Sequence, residues 1–177
     1  NLSLKTMIKL SKGKKFLKYI AYYKYFKKVT NKESSFLVTS RGCNNHCTYC
    51  GIKQAVGKLQ SIPPDLVITN YKEIVKSGIR HIIFYSDDTA SYGEDIDYSF
   101  SKLLESLDKI TPSRITWELD FIHPQRFLKH FETLLFLIKK QRIVLFECPT
   151  QHLSQGILKR MNRNYDISKV IEKINQL

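Results

Sequence analysis

The sequence predicts an α/β fold, a parallel sheet of strand-then-helix units preceded by a basic helical segment. Three observations predict it. From Phe36 onward, short β-branched and aromatic runs alternate with longer stretches of helical period. About four such units can be counted, and 177 residues suffice for one domain with a sizeable core. Residues 1–33 stand apart as a lysine-rich segment, leaving 34–177 as the core domain.

Each unit has its own signals. Phe36 to Thr39 is a short apolar strand running into a cysteine loop at Gly42. Its helix begins near Pro64-Asp65, places Leu66, Tyr71, Ile74 and Val75 on one side, and stops at Ser77-Gly78, where glycine accepts the left-handed terminating conformation. His81 to Tyr85 is the second strand and ends in the polar stretch Ser86-Asp87-Asp88-Thr89. Ile96, Phe100, Leu103, Leu104 and Leu107 then recur at helical spacing until Thr111-Pro112. Arg114 to Leu119 is the third strand, and His123-Pro124 opens a third helix carrying Phe127, Leu128, Phe131, Leu134, Leu135 and Leu137. Ile143 to Cys148 is the fourth strand, followed by a helix with Ile157, Leu158 and Met161 and a last helix from about Ile167. Right-handed crossovers between parallel strands put the loops after the strands on one rim. The cysteine loop, Ser86 to Thr89, Glu118 to Pro124 and Pro149 to Ser154 would line it.

Composition narrows the class. With 42% hydrophobic and 25% charged residues, the chain reads as a folded protein that is neither disordered nor membrane-spanning. No run of about 18 apolar residues is present to cross a bilayer, and no secretion leader is expected in the visible chain. The net charge of +13 is uneven: residues 1–30 hold nine lysines and no acid, interleaved with Phe16, Tyr19, Tyr22, Tyr23, Tyr25 and Phe26. That mixture suits phosphate tracking and base stacking on RNA. A solvated helix packing its aromatic side on the neighbouring domain explains it equally well, and a membrane-surface helix less well, because lysines interrupt every apolar face.

Three of the four cysteines, Cys43, Cys47 and Cys50, fall within eight residues. Such crowding suits metal ligation in a reducing compartment, so a cytoplasmic location is expected. A four-iron, four-sulfur (4Fe-4S) cluster has four corners, each ordinarily closed by a thiolate, and three cysteines leave one iron open. Zinc with His46 as fourth ligand competes, although adjacent His46 and Cys47 side chains rarely converge on one ion. Buried structural cysteines are a further alternative. Cys148, in apolar surroundings, reads as a core residue.

The loop Cys43-Asn-Asn-His-Cys47-Thr-Tyr-Cys50 resembles the cluster loop of radical S-adenosylmethionine enzymes. The flanks narrow the resemblance to methylthiotransferases that modify tRNA or a ribosomal protein. They are Ser40-Arg41-Gly42, Gly57 to Ser61, Asp88 to Gly93, Pro149-Thr150-Gln151, and Leu158 to Tyr165. The resemblance implies a partial (β/α) barrel of the radical S-adenosylmethionine type. It implies that Cys43, Cys47 and Cys50 are cluster ligands and that the open iron takes the amino and carboxylate groups of S-adenosylmethionine. Tyr49 matches an aromatic position near the adenine, and Ser86, Asp87, Asp88, Glu118 and Gln151 match strand ends contacting the cofactor or substrate. It also implies methylthiolation of a tRNA base or a ribosomal protein, an electron donor such as a flavodoxin or ferredoxin, and a monomer.

Departures accompany the match. The family's Gln-Ser-Gly-Ser reads Gln151-His152-Leu153-Ser154 here, which puts a side chain where a backbone would approach a ligand. The family barrel has six units against the four visible, and neither the upstream cysteine trio nor the trailing RNA-binding barrel is seen. A fragment or truncation is therefore expected, inactive in the full reaction by itself. A radical enzyme without sulfur insertion and a non-catalytic zinc- or RNA-binding module are the other two readings.

Overall fold

A computed structural model describes residues 34–177. The basic segment expected to be helical and to meet RNA lies outside the described residues. In chain order the elements are β1 (Ser34–Val38), β2 (Ser40–Arg41), α1 (Ile52–Val56), β3 (Gln60–Ser61), α2 (Pro64–Lys76), β4 (His81–Tyr85), α3 (Phe100–Lys109) and β5 (Thr116–Leu119). They continue with α4 (Pro124–Lys129), α5 (Phe131–Lys139), β6 (Ile143–Phe146), α6 (Gln155–Arg160) and α7 (Ile167–Ile174). A 3₁₀ turn, Thr89–Ser91, follows β4.

Four strands form one parallel sheet in the order β1-β4-β5-β6, and each of its three pairings is parallel. The two-residue periodicity of a strand puts Leu37, Ile82, Phe84, Trp117 and Leu119 on one buried face. Helices cover that face because their apolar stripes match it: Val67, Tyr71 and Ile74 of α2, and Phe100, Leu103, Leu104 and Leu107 of α3 are buried. Trp117 is the centre of this core. Its ring meets Phe84 and Tyr71 edge-on, and its indole N–H donates to the Tyr71 hydroxyl at 2.9 Å. Arg142, also buried, pairs with Asp108 at 3.0 Å and donates to the carbonyls of Thr111, Pro112 and Ile115, pinning the turn before β5.

Two expectations need correction in detail, and one pairing was not foreseen. Ile96 is not part of α3: the helix starts at Phe100, capped by the Ser99 side chain, and Asp97 takes a left-handed φ of 51° just before it. The third helix is two, α4 and α5, because buried His130 leaves helical geometry to bring its ring to Ser101 Oγ at 2.8 Å and edge-on to Phe100. The pair β2–β3, with Ser40 opposite Ser61, carries too little periodicity to be read in advance. It ties together the two ends of the cysteine loop.

Among the described residues the sheet stays open. β6 is its outer strand, and Val144 and Leu145 are more than half exposed there. The arrangement is that of a partial barrel. The ends of β1, β4 and β5 and the segment after β6 converge on the cysteine loop.

Candidate metal centre and cofactor cavity

The loop begins with a sharp turn that only glycine fits. Gly42 has a φ of 79°, and a Cβ there would stand 2.2 Å from the Lys58 carbonyl oxygen. Its N–H donates to Asp87 Oδ2 at 2.7 Å, linking the loop to the end of β4. Cys43 follows, its N–H on the Gly57 carbonyl at 3.2 Å. Burial pushes the Cys43 thiol up from its ordinary range.

Cys43, Cys47 and Cys50 are free thiols, and all three line a single cavity of about 430 Å³. Asp87, Asp88, Phe121, His123, Gln151 and Arg163 close other sides. Phe121 and Gln151 hold left-handed backbones, φ 52° and 70°, which non-glycine residues adopt only where the surroundings enforce them. Burial drives the His123 imidazole down to about 3, so it is neutral in this wall. Among the described residues, no three His, Cys, Asp or Glu side chains are gathered closely enough to hold a single metal ion.

Two arginines hold the loop in place. Arg126 forks onto Glu94 at 3.1 and 2.7 Å and donates from Nη1 to Asp88 at 2.8 Å and to Asn45 Oδ1 at 2.7 Å. Asn45 in turn donates to Asp88 at 2.8 Å. Asn45, between Cys43 and Cys47, is thereby fixed to the segment after β4 and to α4. On the other side, Arg163 donates to Tyr49 Oη at 3.1 Å, to the Pro149 carbonyl at 2.6 Å and to Cys47 Sγ at 3.7 Å. The turn after α6 completes the grip: Thr48 N–H donates to the Met161 carbonyl at 3.1 Å, and Asn162 Nδ2 to the His46 carbonyl at 2.8 Å.

The pattern of the Radical SAM superfamily matches residues 37–177. The chain belongs to that superfamily. Within it, the chain is similar to methylthiotransferases. It is 31% identical to the ribosomal protein uS12 methylthiotransferase RimO of Alkalilimnicola ehrlichii, over 84% of this chain and 35% of that protein. It is 32% identical to the threonylcarbamoyladenosine tRNA methylthiotransferase of Homo sapiens, over 76% of this chain and 24% of that protein. A probable threonylcarbamoyladenosine tRNA methylthiotransferase of Methanothermobacter thermautotrophicus is 32% identical over 72% of this chain and 30% of its own length. The chain thus spans about a third or less of the relatives it matches. Membership implies a 4Fe-4S cluster and S-adenosylmethionine, and the donor set fits: three free thiols line one cavity together with polar side chains such as Asp87 and Gln151.

The radical SAM site residues expected from sequence fall into two groups. Tyr49, Asp87, Asp88 and Gln151 line the cysteine cavity. Asp88 is buried, and Arg126, Asn45 and the His123 N–H already occupy its carboxylate. Ser86 and Glu118 stand outside the lining. Ser86 Oγ donates to the Tyr85 carbonyl and accepts from the Ser40 N–H, bracing the end of β4, while Glu118 meets His81 Nε2 at 3.0 Å on the uncovered face of the sheet. His46 turns its ring to Lys53 Nζ at 2.7 Å. Leu153, at the departure from the family's glycine, is 69% exposed and outside the cavity lining. Cys148 packs against the core with its thiol pushed up to about 12 by burial. Arg126 and Arg163 were not singled out from sequence. Arg163 sits in the recognised stretch Leu158 to Tyr165, whose only signal was resemblance.

Proposed function

We propose that the chain is the first part of the catalytic domain of a radical S-adenosylmethionine methylthiotransferase acting on a tRNA base. Cys43, Cys47 and Cys50 would hold the 4Fe-4S cluster, leaving one iron for S-adenosylmethionine. The observation that carries this reading is the convergence of all three thiols on one cavity bounded by the ends of parallel strands. Three thiolates close three corners of a cluster and leave one iron open, and membership of the Radical SAM superfamily supports that cluster over zinc.

When bound, the cluster supplies the electron that splits the sulfonium of S-adenosylmethionine, yielding methionine and a 5′-deoxyadenosyl radical able to take hydrogen from an unactivated C–H bond. The residues of the chain bind and orient. Tyr49, half exposed and fixed through its hydroxyl, offers a flat face for the adenine. Asp87 and Gln151 offer polar contacts to the amino acid or ribose end, and Asp88 acts by holding Asn45 in the loop. Ser86 and Glu118 act one step back, at the strand ends. The buried, neutral His123 ring keeps water from that wall.

The tRNA assignment rests on the tRNA-modifying relatives and on the nine lysines of residues 1–30. Ribosomal protein uS12 is the second reading, favoured by the similarity to RimO. A flavodoxin or ferredoxin as electron donor and a cytoplasmic location belong to the same proposal. Among the described residues no helix is long and apolar enough to cross a membrane.

The test is reductive cleavage. The anaerobically reconstituted, dithionite-reduced chain should convert S-adenosylmethionine to 5′-deoxyadenosine, and Cys50→Ala should not. Mass spectrometry of tRNA and of uS12 from cells with and without the gene then assigns the substrate. A methylthio group gained only on uS12 overturns the tRNA reading, and cleavage with neither product modified points to a radical enzyme without sulfur insertion.

A further inference from the structure

Three arginines are buried among the described residues, and they are not alike. Arg126 is paired with Asp88 and Glu94, and Arg142 with Asp108. Arg163 is 4% exposed, yet among the described residues it has no carboxylate within salt-bridge distance. Its contacts are the Pro149 carbonyl, the Tyr49 and Tyr165 hydroxyls, the face of the Tyr165 ring, and Cys47 Sγ. A buried guanidinium without an anion is strongly disfavoured, so a site that keeps one is built to receive negative charge. The anion the geometry offers is at Cys47, since a cysteine binds metal as the thiolate.

We propose that Arg163 is a positioning residue for the cluster, providing the buried countercharge beside Cys47 that raises the cluster's reduction potential. This rests on the reading of Cys43, Cys47 and Cys50 as cluster ligands. On reduction one electron enters from an external low-potential donor, no bond forms or breaks, and the cluster becomes more negative by one charge. A fixed positive charge donating to a ligating sulfur favours that change, because hydrogen bonds to the sulfurs and local charge set cluster potentials. The same guanidinium fixes Tyr49 and the segment after β6, so the charge cannot drift from the sulfur.

The experiment is a redox titration of the full chain reconstituted anaerobically with iron and sulfide, followed by electron paramagnetic resonance, on wild type, Arg163→Gln, Arg163→Lys and Lys76→Gln. Iron content and circular dichroism are measured on each. At the wild-type midpoint, Arg163→Gln should lower the ratio of reduced to oxidised cluster about tenfold, equivalent to about 59 mV for one electron. Arg163→Lys keeps the charge and should fall within about threefold of wild type, and Lys76→Gln, which removes an exposed charge, should match it. Loss of iron from folded Arg163→Gln with retention in Arg163→Lys also supports the countercharge role. A loaded Arg163→Gln protein that titrates like wild type overturns it, as does an equal change in both Arg163 variants. If wild type itself takes up no iron, the cysteine reading fails, and that result is distinct from either.

Discussion

Gly42 shows how one residue sets the loop: its left-handed backbone and the Lys58 carbonyl leave no room for a side chain. Gly42→Ala should destabilise the chain by about 1–3 kcal/mol in denaturant titration, and reduce iron uptake with it. His130 makes the chain acid-sensitive. Burial pulls its pKa down to about 4, below the ordinary 6.5, so the neutral ring favours the folded state. That stability is complete above pH about 6.5 and is lost as pH falls through about 4, up to about 3 kcal/mol. Asp120 has the opposite sign: burial first, then Glu118 and Glu147, raise its carboxyl to about 6. Its contribution is present below pH about 4 and lost as pH rises through about 6. Asp120→Asn should therefore raise the melting temperature at pH 8 and have little effect at pH 4, whereas no gain at pH 8 would contradict this. The cysteines and Asp87, which line the cavity, stood out in the sequence because they sit in short local patterns. Arg126 was not, because its partners Glu94, Asp88 and Asn45 are scattered between 32 and 81 residues away and leave no local trace.

Strands and helices were legible where periodicity runs long enough. α2 and β4 lie close to where the apolar spacing and the Ser77-Gly78 stop put them. The break between α4 and α5 was hidden, since the apolar period continues across His130 while its tertiary contact to Ser101 overrides it. β2 and β3, two residues each, and the five-residue α1 are held by the loop they enclose and have no periodic signal of their own. Element ends also carry energy. Arg142, at the start of β6, is the clasp between that strand and the turn leading into β5. Arg142→Ala should cost about 3 kcal/mol, seen as a lower midpoint of urea unfolding at constant slope, because Asp108 and three carbonyls lose a buried partner.

At the largest scale, the described residues form an open four-stranded sheet that ends in an apolar outer strand, with a definite consequence. Val144 and Leu145 leave β6 able to pair with another chain. Light scattering should show association that grows with protein concentration, and Leu145→Lys should suppress it; concentration-independent monomers would contradict the exposed edge. The same architecture gathers the strand ends, the cysteine loop and the turn after α6 around one cavity, the basis for assigning it cluster chemistry. The most direct measurement is iron and sulfide content after anaerobic reconstitution, on wild type and on Cys47→Ala. About four irons in the wild type and far fewer in the variant are expected for a cluster held by three thiolates. One tightly bound zinc and no iron cluster in the wild type would contradict it.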